Sequence, residues 1–485
     1  MPERRRGSRA VGVLLALGLG VLGPLAGAPA AQADEAAVTR TDLTFAGTPE
    51  PDGRPVTLDA TILESTGGPP RPAVVLNHGF GGDKTDTFAI GTELARQGYV
   101  VLAYTSRGFG ASGGKIHLVD PAYEGQDARR AVDLLATRPE VAQQAGDPVV
   151  GFAGASYGGA VSLVAAAVDP RVDAVVPAFT WSSLTSALFP QSAVTAAPRG
   201  PADVAAVPGP GVFKQRWASL FFRSGGGGAG GGLCGRFSPA LCAGYQQAAR
   251  TGTPPASLVA ALDRTSPRSV APGVHAPTLL VQGESDTLFG LDQAEATARA
   301  LPAATVKRIV WSAGGHDAGI DLQEFLPSLT DWFGRYLRHD GSPVATTFRY
   351  DVPRTSLVGN GGGDGDGPQT RQLPFYPGLA GPFVTRPLSL AGTEQEVISP
   401  AGGSPAALTS LPGTGSALGG LASVGGYALG VLPGQSEGGV EIRHRGPLLK
   451  LETPYNPRSC PSRSPSRGPA CREGLHNRPG SGGRL

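Results

Sequence analysis

Apolar residues arrive along this chain in short unbroken runs, separated by stretches with helical spacing. The first clear run is residues 73–76, which ends at Asn77-His78-Gly79. Similar runs follow at 99–104, 148–153, 172–178, 278–282 and 308–311. Strands buried on both faces read this way, because neither side can carry polar residues. Between them, 88–97 has helical character and stops at Gly98, and 126–136 places Ala128, Val132 and Leu135 on one face. Residues 160–168 and 322–337 are the other helix-like stretches. Weak alternation across 39–65 predicts an edge hairpin. Strands and helices in this alternation predict an α/β fold with a mostly parallel sheet and right-handed crossovers.

The alternation fails in two places. Residues 181–271 hold Pro-rich loops, the aromatic cluster 217–222, and a glycine run at 225–232 broken by one Ala. An interval this long between sheet strands predicts an inserted lid. After His339 the character changes again. Residues 344–350 look like a strand, 359–367 form a Gly/Asp linker, and short strand-like pieces with Gly and Pro turns run to about Leu432. This predicts a partial, β-sandwich-like C-terminal domain over 341–436. The aperiodic Arg/Pro/Ser/Gly composition of 437–485 predicts a disordered tail.

The first residues read as an export signal. Arg4, Arg5 and Arg6 precede an apolar stretch at 11–22, and Ala31-Gln32-Ala33 supplies small residues for cleavage before Asp34. The apolar stretch ends at Gly23-Pro24, short of the roughly 20 residues that span a bilayer. The expectation is a signal peptide over 1–33, a secreted mature chain, a catalytic domain over 34–340, and no stable membrane insertion. Net charge of only +2 argues against nucleic acid as a partner. Export permits disulfides, and four cysteines allow three pairings. Cys234 with Cys242 is the expected pair, because the segment between them is short and turn-rich. No Cys-x-x-Cys or His-x-x-x-His spacing occurs, so neither a metal nor another cofactor is expected.

Gly-x-Ser-x-Gly occurs around Ser112, Ser156 and Ser436. The chemistry needs a sharp strand-to-helix turn that exposes the hydroxyl and aims a helix N-terminus at the substrate oxygen. Only Ser156 has a buried strand just before it and a helix just after. A serine hydroxyl also needs a base, and histidine titrates in the right range. His316 lies in Gly314-Gly315-His316-Asp317, beyond the strand that ends at Trp311, at the sheet edge where sites form. His78, beside the first Gly-rich loop, is expected to orient. Asp286, just past the 278–282 strand, is the expected acid, with Glu284 and Asp292 as rivals. The chain order Ser156, Asp286, His316 is that of the α/β-hydrolases. Backbone N–H groups of Tyr157 and of Phe80 or Gly79 would form the oxyanion hole.

Residues 104–114 (Tyr-Thr-Ser-Arg-Gly-Phe-Gly-Ala-Ser-Gly-Gly), 123–127 (Tyr-Glu-Gly-Gln-Asp) and 154–159 (Gly-Ala-Ser-Tyr-Gly-Gly) carry a resemblance. Over about 57–337 the chain resembles the Xaa-Pro dipeptidyl-peptidases of peptidase family S15 and cocaine-esterase-like hydrolases. The resemblance implies acyl-enzyme hydrolysis of esters, or of amide bonds after an N-terminal dipeptide. It also implies a C-terminal jelly-roll, for which the β-like stretch here is short. Many members carry an oxyanion-stabilising tyrosine hydroxyl near the position of Phe80, so backbone donors must suffice here. The expected partner is a small ester or peptide substrate. Only Asp203 and Asp263 supply carboxylates in the lid interval, which favours esters over substrates with an N-terminal ammonium. The competing reading is a non-catalytic, hydrolase-like binding protein.

Overall fold

Each short apolar run of the sequence is a strand in one ten-stranded sheet. The computed structural model from which this follows describes residues 37–190, 210–224, 234–284, 286–316, 322–342, 347–352, 369–377 and 379. The expected signal segment, the 437–485 tail and most of the 341–436 region lie outside the described residues, as do 191–209 and 225–233 of the lid interval.

The strands are β1 (Val38–Gly47), β2 (Val56–Ser65), β3 (Ala73–Asn77), β4 (Val100–Tyr104), β5 (Val150–Ala155), β6 (Val172–Ala178), β7 (Thr278–Gly283), β8 (Lys307–Ser312), β9 (Phe348–Val352) and β10 (Gln369–Leu373). Their spatial order is β1-β2-β4-β3-β5-β6-β7-β8-β9-β10. From β4 to β9 every neighbouring pair is parallel. The antiparallel members are β1 and β2 at one edge and β10 at the other. The weak alternation at 39–65 is thus a long two-stranded edge. The strand expected at 344–350 lies a few residues later and pairs with β8 through Val310 and Arg349.

The doubly buried runs divide their side chains between two cores. Ala73, Val75, Val100, Leu102 and Phe152 face one, while Val74, Leu76, Val101 and Ala103 face the other. The first core is covered by α2 (Glu124–Ala136) and α3 (Tyr157–Val168), the second by α1 (Phe88–Arg96) and α9 (Leu322–Phe333). Ala128, Val132 and Leu135, placed on one helix face by spacing alone, are all fully buried in the first core. Among its described residues the interval 181–271 contains four α-helices: α4 (Leu184–Leu188), α5 (Gln215–Ser224), α6 (Pro239–Thr251) and α7 (Ala256–Arg264). A further helix, α8 (Leu291–Ala300), follows β7. Among the described residues no helix is long and apolar enough to cross a membrane.

One corner of the fold is held by charge rather than by hydrocarbon. Arg107, in the loop after β4, is completely buried. Its Nε donates to Asp127 Oδ2 of α2 at 2.7 Å, and its Nη2 donates to the carbonyl of Thr48 after β1. Asp127 Oδ1 also accepts from Thr48 N at 2.6 Å. Glu50 lies 3.7 Å from the guanidinium and accepts from Lys115 N and pairs with His117 Nε2. The planar guanidinium, always charged, matches this fork of acceptors and ties three distant chain segments together. Asp127→Ala removes the principal counter-charge and leaves Arg107 buried. A loss of about 3 kcal/mol in unfolding free energy is expected, at the low end for a broken buried pair because Glu50 remains. Urea unfolding measures it, and a loss below about 1 kcal/mol, the range of an exposed pair, would show that the network is decorative.

Candidate active site

Strand β5 delivers Ser156 to the first position before α3. Its backbone has φ +56° and ψ −116°, a conformation that costs a non-glycine residue strain and that persists only when surrounding structure imposes it. The imposition is visible. Ser156 N donates to Ala178 O of β6 at 2.8 Å. A Cβ on Gly154 would come within 2.6 Å of the Gly158 carbonyl carbon and 2.7 Å of Asn77 O, both backbone atoms. The glycines flanking the serine are therefore there because three backbones meet with no space between them.

The expected base and acid, His316 and Asp286, stand beyond the ends of β8 and β7. His316 follows β8, and its Nδ1 lies 2.6 Å from Asp286 Oδ2 after β7. The other carboxylate oxygen, Oδ1, accepts from Leu288 N at 2.9 Å and Phe289 N at 2.8 Å. Asp286 is thereby fixed by its own loop and aimed at the imidazole. A Cβ on Gly315 would sit 2.6 Å from Asp286 Cα, so the two loops pack backbone to backbone. The rivals for the acid's place are engaged elsewhere. Glu284 Oε1 accepts from Asp351 N of β9, and Asp292 Oδ2 accepts from Gln293 Nε2.

The imidazole of His316 meets the ring of Phe289 edge-on at 5.2 Å and that of Trp217 at 6.2 Å. Its Nε2 is buried with no hydrogen-bond partner among the described residues. Phe289 lines the same cavity as Ser156. Phe289 is thus a wall shared by the serine's cavity and the imidazole. No direct hydrogen bond joins the serine to the imidazole here.

The loop after β3 closes the other side of the serine. A Cβ on Gly79 would lie 4.0 Å from Ser156 Cβ. Phe80 has no hydroxyl to offer, and its ring instead packs against Phe109 at 4.9 Å, Phe221 at 5.0 Å and Tyr157 at 5.8 Å. This packing seats the loop over the start of α3, whose first N–H groups have no partner within the helix.

His78 does not meet His316; it braces this loop. Its Nε2 accepts from Ser106 N at 3.0 Å, which leaves Nδ1 to donate to Gly79 O at 2.7 Å. Tyr157 is braced from below: its hydroxyl donates to Glu124 Oε1 at 3.0 Å, while the same carboxylate accepts from His117 N and Asp120 N. Burial pushes the Glu124 carboxyl up to about 8, against the opposing charge of Arg107. The sequence reading used Arg107, Glu124 and Asp127 only as marks of resemblance. Their signal was charge within otherwise apolar and Gly-rich segments, which demands buried partners.

Of the other serines in the Gly-x-Ser-x-Gly pattern, Ser112 is buried, donates to Thr105 O at 2.6 Å and accepts from Asp59 N. Ser436 lies outside the described residues, as do Asp203, Asp317, Cys460 and Cys471. Cys234 and Cys242 form a disulfide, with their Cα atoms 5.4 Å apart. Among the described residues, no three His, Cys, Asp or Glu side chains gather as a metal site.

The sheet order, with helices on both faces and loops converging beyond the carboxyl ends of β3, β5, β7 and β8, defines an α/β-hydrolase. The chain belongs to the X-Pro dipeptidyl-peptidase (S15) family, whose profile matches residues 52–317. No curated protein matches it in sequence. Similar solved structures include a 2,6-dihydroxy-pseudo-oxynicotine hydrolase, at 17% identity and TM-score 0.42 over 64% of this chain and 70% of that one. Another is an acetyl xylan esterase from Paenibacillus sp. R4, at 19% identity and TM-score 0.41 over 62% and 84%.

Burial holds the His78 imidazole below its ordinary value of 6.5, against the Gly79 carbonyl and the charges of Asp86 and Asp83. The unfolded chain therefore takes up a proton near pH 6.5 that the folded chain refuses until lower pH, and stability falls as pH drops through that window. In His78→Gln this contribution is absent. Thermal unfolding from pH 7 to 5 is expected to show a shallower loss for the variant than for the wild type. Parallel slopes would exclude a buried neutral His78.

Proposed function

We propose that the protein is a secreted serine hydrolase that cleaves an ester or peptide bond through an acyl-enzyme, with Ser156 as nucleophile, His316 as base and Asp286 as the acid that orients it. The observation that carries this reading is the 2.6 Å Asp286–His316 pair, with Nε2 left unpartnered beside the cavity that holds Ser156.

The Asp286 carboxylate keeps the proton of neutral His316 on Nδ1, so Nε2 presents a lone pair. As Ser156 Oγ attacks the substrate carbonyl carbon, its proton passes to Nε2. The carbonyl oxygen gains the negative charge and is met by the N–H groups of Tyr157 and Phe80, with the N-terminus of α3 behind the former. Collapse of the tetrahedral species breaks the bond to the leaving group, which takes the proton from Nε2. Water then attacks the acyl carbon as its proton passes to Nε2, and collapse breaks the bond to Ser156 Oγ, which takes that proton back as the acid product leaves. Catalysis needs Ser156 Oγ within hydrogen-bond reach of His316 Nε2, a contact of the kind that substrate binding completes. Loss of Glu124's hold on Tyr157 would let the helix start drift from the oxyanion.

Export after cleavage near Ala33–Asp34 belongs to the same proposal. It is supported by the Cys234–Cys242 disulfide, since such bonds persist in oxidising compartments.

A fluorophosphonate probe is expected to label the wild type at Ser156 and not Ser156→Ala. Ser156→Ala and His316→Ala are each expected to lower kcat on a nitrophenyl ester by about 10⁴-fold or more. Asp286→Asn leaves the geometry but spoils the tautomer, and about 10⁴-fold is expected there too. A wild type that neither labels nor hydrolyses the ester would favour the binding-protein reading, and a Ser156→Ala variant that keeps full activity would overturn Ser156 as nucleophile.

A further inference from the structure

Beside Ser156 lies a cavity of about 60 Å³ whose wall is almost wholly hydrocarbon. Its floor is Leu184 and Leu188 of α4, and its sides are Phe80, Phe237 and Phe221, with Ala218 facing in from α5. At about 10–15 Å³ for each water-sized group, it has room for roughly four to six heavy atoms. None of the described residues that line it carries a charge. Two of its residues meet carboxylates: the Tyr157 hydroxyl donates to Glu124 and the Phe289 amide to Asp286. Both are engaged: Glu124 Oε1 also accepts from His117 and Oε2 from Asp120, and Asp286 holds His316. The lid carboxylate Asp263 accepts from Thr185 Oγ1 at 2.7 Å and is likewise engaged.

Recognition of an N-terminal dipeptide requires a buried or half-buried anion for the substrate's ammonium, because an unpaired charge is strongly disfavoured in such a wall. Among the described residues the cavity offers none. From this we infer that the protein is an esterase for short apolar acyl groups, of about four to six carbons, and that these described residues do not build a dipeptidyl-peptidase subsite. This rests on the catalytic reading above and adds the substrate class. The wall discriminates by size and by rejecting charge. Phe237 sets one limit of the cavity. It is held by stacking on Phe222 at 4.0 Å and by its place between the bridged Cys234 and Cys242.

The test is a series of nitrophenyl esters, run on protein whose fluorophosphonate labelling at Ser156 has been verified. Between acetate and hexanoate, kcat/KM should rise about fourfold per methylene, the value of one buried CH₂. Nitrophenyl 5-aminopentanoate has the shape of the hexanoate ester with an ammonium at its end, and should be at least about a hundredfold poorer. Phe237→Ala should move the optimum to longer chains and Ala218→Leu to shorter ones. The shift is read only on variants that still label, so misfolding does not pass for specificity. A flat chain-length series on labelling protein overturns the substrate class and leaves the triad standing. So does an ammonium ester cleaved as well as hexanoate, or Gly-Pro-nitroanilide cleaved as well as the best ester. Absence of labelling overturns the catalytic reading beneath it.

Discussion

The structure depends on one crowded junction, where the backbones of β3, the β5–α3 turn and β6 touch without side chains between them. Gly154 and Gly158 permit the approach, and Ala178 O receives the Ser156 amide. Because a close-packed interior transmits strain rather than absorbing it, this junction fixes Ser156 at a positive φ that it would not adopt alone. The position of the oxyanion loop follows from the same contact, since Gly79 abuts the serine.

Around the junction the protein uses polar groups where hydrocarbon would not specify geometry. The Arg107–Asp127 pair joins the loops after β1 and β4 to α2, and Glu124 on the same helix reaches Tyr157. Helix α2 therefore reads two positions at once: the edge of the sheet and the first residue of the helix after Ser156. Burying these charges is costly, and replacing them by apolar groups could leave stability unharmed. What would be lost is directional: an apolar substitute has no way to hold a tyrosine hydroxyl at a set point.

The parallel sheet was legible because strands buried on both faces cannot hide their composition. Residues 73–76 and 99–104 read as strands for the same reason that they alternate between two cores. The elbow was legible because a strand, a small-residue turn and a helix succeed one another without a gap. The pairing of Asp286 with His316 followed from chain order, although spacing could not separate Asp286 from Glu284; the hydrogen bonds do. The helices of the 181–271 interval were not read from the sequence. α5 and α6 stand among Pro-rich and Gly-rich stretches that obscure their spacing, and they meet through aromatic packing such as Phe222 on Tyr245 between residues far apart in the chain. The buried charges were visible as residues but not as a network, because their partners lie tens of positions apart.

One contact of the lid has a mechanical consequence. Lys214, just ahead of α5, donates from Nζ to the carbonyls of Thr287 and Leu288. The amides of Leu288 and its neighbour Phe289 are the groups that grip Asp286. One ammonium thus couples the helix that carries Ala218 and Phe221 into the cavity to the peptide units that fix the carboxylate beside His316.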